Sequence, residues 1–159
     1  MSALIPSNPY TVSSVITNPG AVTNLVVHAA ALKPLVIVRA KVTLAQATIP
    51  TAANARVRLG LKTAAGTYTA ITQTTFIKSN PSDPTAGFTA GFTATAEGTD
   101  GSFLEEGWGS ATGWIFDWSP TPEEYILVPA GVANGFFIKH NVAPPAGNYA
   151  FTIVAHEIG

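Results

Sequence analysis

Five carboxylates cluster in the second half of the chain: the pairs Glu105/Glu106 and Glu123/Glu124, with Asp117 between them. Glycoside hydrolysis needs two carboxyl groups facing a sugar across about 5–10 Å, so these acids are the first place to look for chemistry. Adjacent residues on a strand point to opposite faces, and adjacent acids in a loop are usually solvated, so the spacing argues against such a pair. His28, His140 and His156 lie far apart, without HxH or HExxH spacing, and no metal site is expected from them. The run Gly107-Trp108-Gly109-Ser110-Ala111 does not match the GxSxG nucleophile turn. Residues 131–135 lack the lysine of a phosphate loop, and the absence of cysteine excludes thiolate zinc sites and Cys nucleophiles. The expectation is a protein that is not an enzyme, with no cofactor.

What remains is chemistry of contact. Trp108, Trp114 and Trp118 could stack on sugar faces, but three aromatics at 114, 116 and 118 are the expected inner face of a sandwich or a subunit contact, which leaves Trp108 as the exposed ring in the loop. Residues 1–82 contain seven basic residues and no acid, a net charge of +7, while residues 83–159 carry −8, with Lys139 the single base. Two arrangements fit that asymmetry. Either each subunit has charged poles that select partners by complementary potential, or basic and acidic strands interleave and pair across neighbours. Arg39, Lys41, Arg56 and Arg58 could follow phosphates, but no aromatic residue interleaves with them as a stacking platform, so no specific nucleic-acid partner is expected. The residues expected to touch partners are Tyr10, Arg39, Lys41, Arg56, Arg58, Glu105, Glu106 and Trp108.

The elements that must carry these groups are strands. Leu35–Leu44 alternates, with Val36, Val38, Ala40, Val42 and Leu44 on one face and Arg39, Lys41 and Thr43 on the other. In 55–62, Ala55, Val57, Leu59 and Leu61 point inward against Arg56, Arg58 and Lys62. Thr67–Lys78 and Gly87–Ala96 read as further strands, separated by the breaker Asn80-Pro81-Ser82-Asp83-Pro84. Glycines 98, 101, 107 and 109 make 97–112 a long surface loop. Short strands over 113–118, 125–128 and 135–141 lead to a closing strand over 148–157. The nearest helical candidate, 20–33, is weakened by β-branched residues.

Eight or nine strands without intervening helices indicate an all-β, antiparallel β-sandwich. A jelly roll is the expected arrangement, ahead of an immunoglobulin-like sandwich, which lacks its Cys-Trp-Cys frame here, and an up-and-down barrel. Prolines 6, 9 and 19 with Gly20 make residues 1–20 an extended N-terminal arm, with the sandwich over 21–159. Residues 1–20 hold no Lys or Arg and no apolar run, so no export signal is expected, and polar groups in 21–44 exclude a bilayer span. At 159 residues, 47% hydrophobic and 11% charged, the chain has length and apolar content for one core without disulfide or metal staples.

From about Asn54 onward the order of features resembles small jelly-roll virion proteins of phages and prophages, of the capsid decoration, or cement, type. The matching segments are NARVRLGLK, AAGTYTA, FIKSNPSDPTAGFTAGFTATA, a Gly-rich acidic stretch, GWIFDWSPTPEEYILVPAG and GFFIKHNVAPPAGNYAFTIVAHE. The resemblance implies a protein made in the host cytoplasm and located on the virion surface. It further implies contact with the major capsid protein, assembly as a homotrimer, and no membrane partner. The alternative is a glycan- or receptor-binding tip domain of a fibre or lectin, presenting Trp108 and the 97–112 segment.

Overall fold

The computed structural model describes residues 8–46, 48, 54–109 and 116–159, with side chains for all but residues 54 and 103–109. Among them are twelve strands: β1 (Tyr10–Thr17), β2 (Thr23–His28), β3 (Leu35–Leu44), β4 (Asn54–Ala64), β5 (Thr67–Ile71), β6 (Ile77–Lys78), β7 (Thr89–Ala96), β8 (Thr99–Gly109), β9 (Phe116–Trp118), β10 (Ile126–Val128), β11 (Gly135–Val142) and β12 (Asn148–Glu157). Two 3-10 turns, Gln73–Thr75 and Pro122–Glu124, are the helical elements among the described residues. All pairings are antiparallel. One sheet has the order β10-β3-β12-β1-β6, with β9 also on β3, and the other β5-β7-β2-β11-β4-β8. The fold is an antiparallel β-sandwich.

Alternation explains the core. The first sheet sends in Val12, Leu35, Ile37, Val42, Phe151 and Ile153, and the second sends in Leu25, Val27, Val57, Leu59, Phe136 and Ile138, all buried in one cluster. Each large apolar side chain taken from water there contributes roughly 1.5–3 kcal/mol before entropy is charged against it. Phe116 joins this cluster and Trp118 stacks on Phe136 with ring centroids 6.0 Å apart, so these two aromatics face inward as the alternation predicts. Trp114 is outside the described residues.

Several expectations are corrected. The arm expected over 1–20 is, over Tyr10–Thr17, an internal strand that pairs with β12 along its whole length and with β6 at its start. Residues 1–7 are outside the described set. Strand β3 carries a bulge that shifts register between Ala155 and Val154 of β12, where Ile37 and Arg39 are the successive partners. One extra residue reverses the alternation, so Leu35 and Ile37, not Val36 and Val38, are buried beside Ala40 and Val42. The expected single strand over Thr67–Lys78 is two strands in different sheets. The 3-10 turn and buried Phe76, stacked on Phe88 at 5.1 Å, carry the chain across. The expected loop over 97–112 is for most of its length β8, the edge strand beside β4. The weak helical candidate contains β2, buried throughout.

Candidate functional site

The residues expected to touch partners do not form one surface. Tyr10 is 2% exposed, packs edge-on against Phe88 and donates its hydroxyl to the Pro84 carbonyl, so it is a core residue rather than a contact for a partner. Arg39 and Lys41 belong to β3 in the first sheet, and Arg56 and Arg58 to β4 in the second, so the sandwich separates the two basic pairs. Arg39 is engaged by both carboxylate oxygens of Asp117 on the neighbouring β9, and that guanidinium holds the Asp117 carboxyl below its ordinary pKa. Glu105, Glu106 and Trp108 are on β8, where their backbone partners are Arg58, Val57 and Ala55. Their side chains are outside the described residues. Glu124 belongs to a capping box, accepting from the Thr121 backbone N–H at 3.1 Å and hydroxyl at 3.3 Å.

Among the described residues, several charges of the two halves pair with one another. Lys33 approaches Glu157 at 4.0 Å, Arg39 meets Asp117, and Lys62 meets Glu97 and Asp100. Each of these pairs joins the basic half of the chain to the acidic half, so for them the asymmetry is spent on tying the halves together.

The densest polar cluster is one the sequence does not advertise. Alternation puts Lys62 on the outer face of the second sheet, as expected, yet its side chain is 0% exposed. The turn from β7 to β8 folds over it. The ammonium donates to the Glu97 carbonyl at 2.7 Å, to Glu97 Oε2 at 3.1 Å and to Asp100 Oδ1, and it lies 4.7 Å from the centre of the Phe137 ring. Thr23 donates to Glu97 from its backbone N–H at 2.7 Å and from its hydroxyl at 2.5 Å, and Lys139 approaches Glu97 at 3.5 Å and Asp100 at 3.7 Å. Burial alone would lower the Lys62 pKa, but the bonds to Asp100 and Glu97 outweigh it and the value is raised. Burial likewise opposes ionisation of Glu97, but Thr23, Lys62 and Lys139 hold its carboxyl below the usual range. An ammonium has three donors, and all three are used. Lys62 is therefore a clamp on the β7–β8 turn, with neither a free donor nor a free amine for chemistry.

Beside this clamp the outer face of the second sheet carries two rings laid over glycines. A Cβ on Gly135 would come within 2.8 Å of His28 Nδ1, and one on Gly91 within 2.7 Å of Tyr68 Cβ. The missing side chains let the two rings approach to 5.7 Å between centroids and open a cleft of ≈ 310 Å³. Tyr68 is anchored by its hydroxyl, which donates to the Glu97 carbonyl at 3.1 Å. His28 is 7% exposed and both ring nitrogens are buried, with the Asn134 backbone as the hydrogen-bonding group beside them. Burial pushes its pKa down, against a smaller opposing effect of the Asn134 backbone, so the ring is neutral at pH 7.

The other histidines are elsewhere. His140 is buried between the sheets, edge-on to Tyr149 and Phe151. Asn24 Oδ1 accepts from its backbone N–H at 3.0 Å and lies 2.8 Å from Nδ1, which assigns the ring proton to that nitrogen. Burial lowers the His140 pKa from 6.5 to about 4. Among the described residues no three of His, Asp and Glu are grouped to hold a metal ion, and no helix is long and apolar enough to cross a membrane.

One end of the sandwich is apolar and held in shape. The loop after β2 and the turn before β11 are joined by Ala29 N–H to the Asn134 carbonyl at 3.0 Å and Gly131 N–H to the Ala30 carbonyl at 2.9 Å. Asn134 Nδ2 also donates to the Ala130 carbonyl, and Gly131 takes a φ of 121° that a side chain would disfavour. On this frame Leu32 is 90% and Val132 66% exposed, with Leu127 of β10 also exposed. The sequence places Leu32 in the weak helical candidate over 20–33 and singles out neither Leu32 nor Val132, because an exposed apolar residue in a loop carries no periodic signal. No protein-family model matches the chain, and no curated protein matches it.

Proposed function

We propose that this chain is a non-catalytic structural protein that docks on other proteins, and specifically a decoration protein bound to the outside of a phage head. The observation that carries the docking reading is the pair of cross-bonded loops that hold Leu32 and Val132 in solvent. Exposing apolar side chains on a frame fixed by backbone hydrogen bonds removes the ordering cost that a flexible loop would bring to binding. A second support is the use of charge: Lys62, Arg39, Glu97, Asp100 and Asp117 are committed to partners within the chain. The phage-head reading adds the resemblance of the segments from Asn54 onward to cement proteins, and with it the major capsid protein as partner and a homotrimer as the assembled state. Many copies bridging neighbouring shell subunits would stabilise the shell by multivalency.

The test is binding of the purified protein to heads that lack it, read by co-sedimentation and by imaging at chain-tracing resolution. Wild type is expected to decorate the heads at regular positions, and Leu32→Asp with Val132→Asp to stay in the supernatant while remaining folded. Absence of the chain from heads, or equal decoration by the double variant, overturns the reading. Sedimentation of the isolated protein tests the trimer.

A further inference from the structure

Resting on the docking reading above, we propose that His28 is a pH-sensitive latch on the apolar end of the sandwich. Neutral, it holds the loops that carry Leu32 and Val132 in place, and protonated, it releases them. His28 is the last residue of β2, and its pairing with Gly135 is the last rung between β2 and β11. The next bond outward is Ala29 N–H to the Asn134 carbonyl at 3.0 Å, followed by Gly131 N–H to the Ala30 carbonyl at 2.9 Å. Both docking loops therefore hang on a rung whose side chain can take a proton. Asn134 is the shared node. Its N–H is given to the Gly131 carbonyl at 2.9 Å, so the carbonyl is what its backbone offers the imidazole, and the same carbonyl accepts from Ala29.

Nothing around the ring accommodates a charge. Both ring nitrogens are buried, and Nδ1 lies against the Gly135 backbone, so close that a Cβ there would be 2.8 Å from it. The groups facing the imidazole from the strands packed on it are Lys62 of β4, whose ammonium repels a second cation, the Tyr68 ring of β5 at 5.7 Å, Thr89 and Ala90 of β7, and Gly135 of β11. The carboxylates beside Lys62, Glu97 and Asp100, are engaged by Lys62 and Lys139, and no ion pair among the described residues includes His28. A neutral imidazole has one N–H, which the Asn134 carbonyl can accept. A second proton turns the other nitrogen into a buried donor without an acceptor and adds a charge near Lys62. Burial, with the Lys62 charge behind it, holds protonation below the ordinary value of 6.5, so the latch is set at neutral pH and opens on the acid side. His28 is outside the buried core cluster, so swinging its ring into solvent breaks the terminal rung and the two loop bonds beyond it while the core stays packed. With one proton taken up, the closed frame loses ground to the released one by at most about tenfold per pH unit below 6.5.

The experiment follows the full chain by NMR as pH is lowered from neutral, reading the His28 imidazole together with the Ala29 and Gly131 amides, and repeats head co-sedimentation over the same range. In the wild type all three signals are expected to move through one midpoint below 6.5, and head binding to weaken through that midpoint by up to about tenfold per pH unit. His28→Phe keeps a ring over Gly135 but removes the proton-binding group, so its Ala29 and Gly131 amides are expected to stay in place and its head binding to outlast that of the wild type on acidification. His140 titrates in both proteins and drops out of the comparison. Amides that do not follow His28, amides that shift equally in His28→Phe, or a His28 ring that titrates at 6.5 or above overturns the proposal. So does head binding that falls equally in the two proteins. If His28→Phe does not fold, the wild-type amide titration decides by itself. Failure of the wild type to bind heads at neutral pH overturns the docking reading instead, and the amide titration of the free chain still shows whether His28 latches the loops.

Discussion

Acidification between pH 6.5 and 4 is expected to destabilise this fold through His140. In the unfolded chain the imidazole takes a proton near 6.5, whereas in the sandwich burial postpones that to about 4. Because the folded value is depressed, the unfolded state binds more protons throughout that interval. Stability is complete above 6.5 and falls as pH drops toward 4. At about 1.4 kcal/mol per pH unit, the whole interval is worth about 3 kcal/mol, or roughly a 6–12 °C fall in midpoint for a domain of this size. His140→Phe isolates the effect. It removes the titrating group and the bond from Nδ1, but the His140 backbone N–H still satisfies Asn24 Oδ1. At pH 7.5 the variant should be less stable by about 1 kcal/mol. By pH 4.5 the order should reverse, because the wild type loses stability over a range in which the variant does not. Urea unfolding followed by intrinsic fluorescence at several pH values gives both curves, and His28 cancels in their difference. Parallel curves, or a His140 ring that titrates near 6.5 by NMR in the folded protein, would refute the reasoning.

The Lys62 clamp predicts an asymmetry between its partners. Glu97→Ala strips acceptors from Thr23 and Lys62 together and is expected to cost about 3 kcal/mol, whereas Lys62→Met leaves partly solvated acids still near Lys139 and should cost about 1–2 kcal/mol, as read by urea unfolding at pH 7. The Glu97 contribution has its own pH window. Its folded pKa is lowered, so it is complete above about 4.5 and disappears as pH falls through the folded value, and Glu97→Gln should flatten the stability curve there rather than near 6. Gly91→Ala would place a Cβ 2.7 Å from Tyr68 Cβ and should lower the thermal midpoint while displacing the Tyr68 ring resonances. Leu32→Asp, exposed and outside the core, should leave the midpoint within about 0.5 kcal/mol of wild type while weakening co-sedimentation with heads.

Strands β3 and β4 were legible because a half-buried strand must alternate, and Leu35–Leu44 and 55–62 do so. Contact across strands was not. The bulge at Ile37–Arg39 leaves no mark in composition, yet it reverses which of Val36 and Ile37 is buried. Glycines 98, 101, 107 and 109 made 97–112 read as a loop, because local preference carries no information about β4 waiting to pair with it. Asn80-Pro81 was a visible breaker, but the crossing between sheets is at Gln73–Thr75, where no proline or glycine marks it. Among the site residues, Arg56 is exposed on β4 as alternation predicts, while Arg58 is half-buried. Tyr10, expected at a partner contact, is buried because its exposure depends on β12 and β6, neither of which is near it in sequence.

Alternation, turn residues and the lack of helical periodicity were enough to determine a two-sheet antiparallel sandwich with one apolar core, since these are local consequences of a two-residue repeat meeting water on one side. Tertiary structure alone decided which charges neutralise one another, that Lys62 is buried under a turn formed far along the chain, and that His28 and Tyr68 share a cleft. Those properties belong to groups brought together from distant positions, and their energies depend on desolvation and geometry that no single stretch of chain contains.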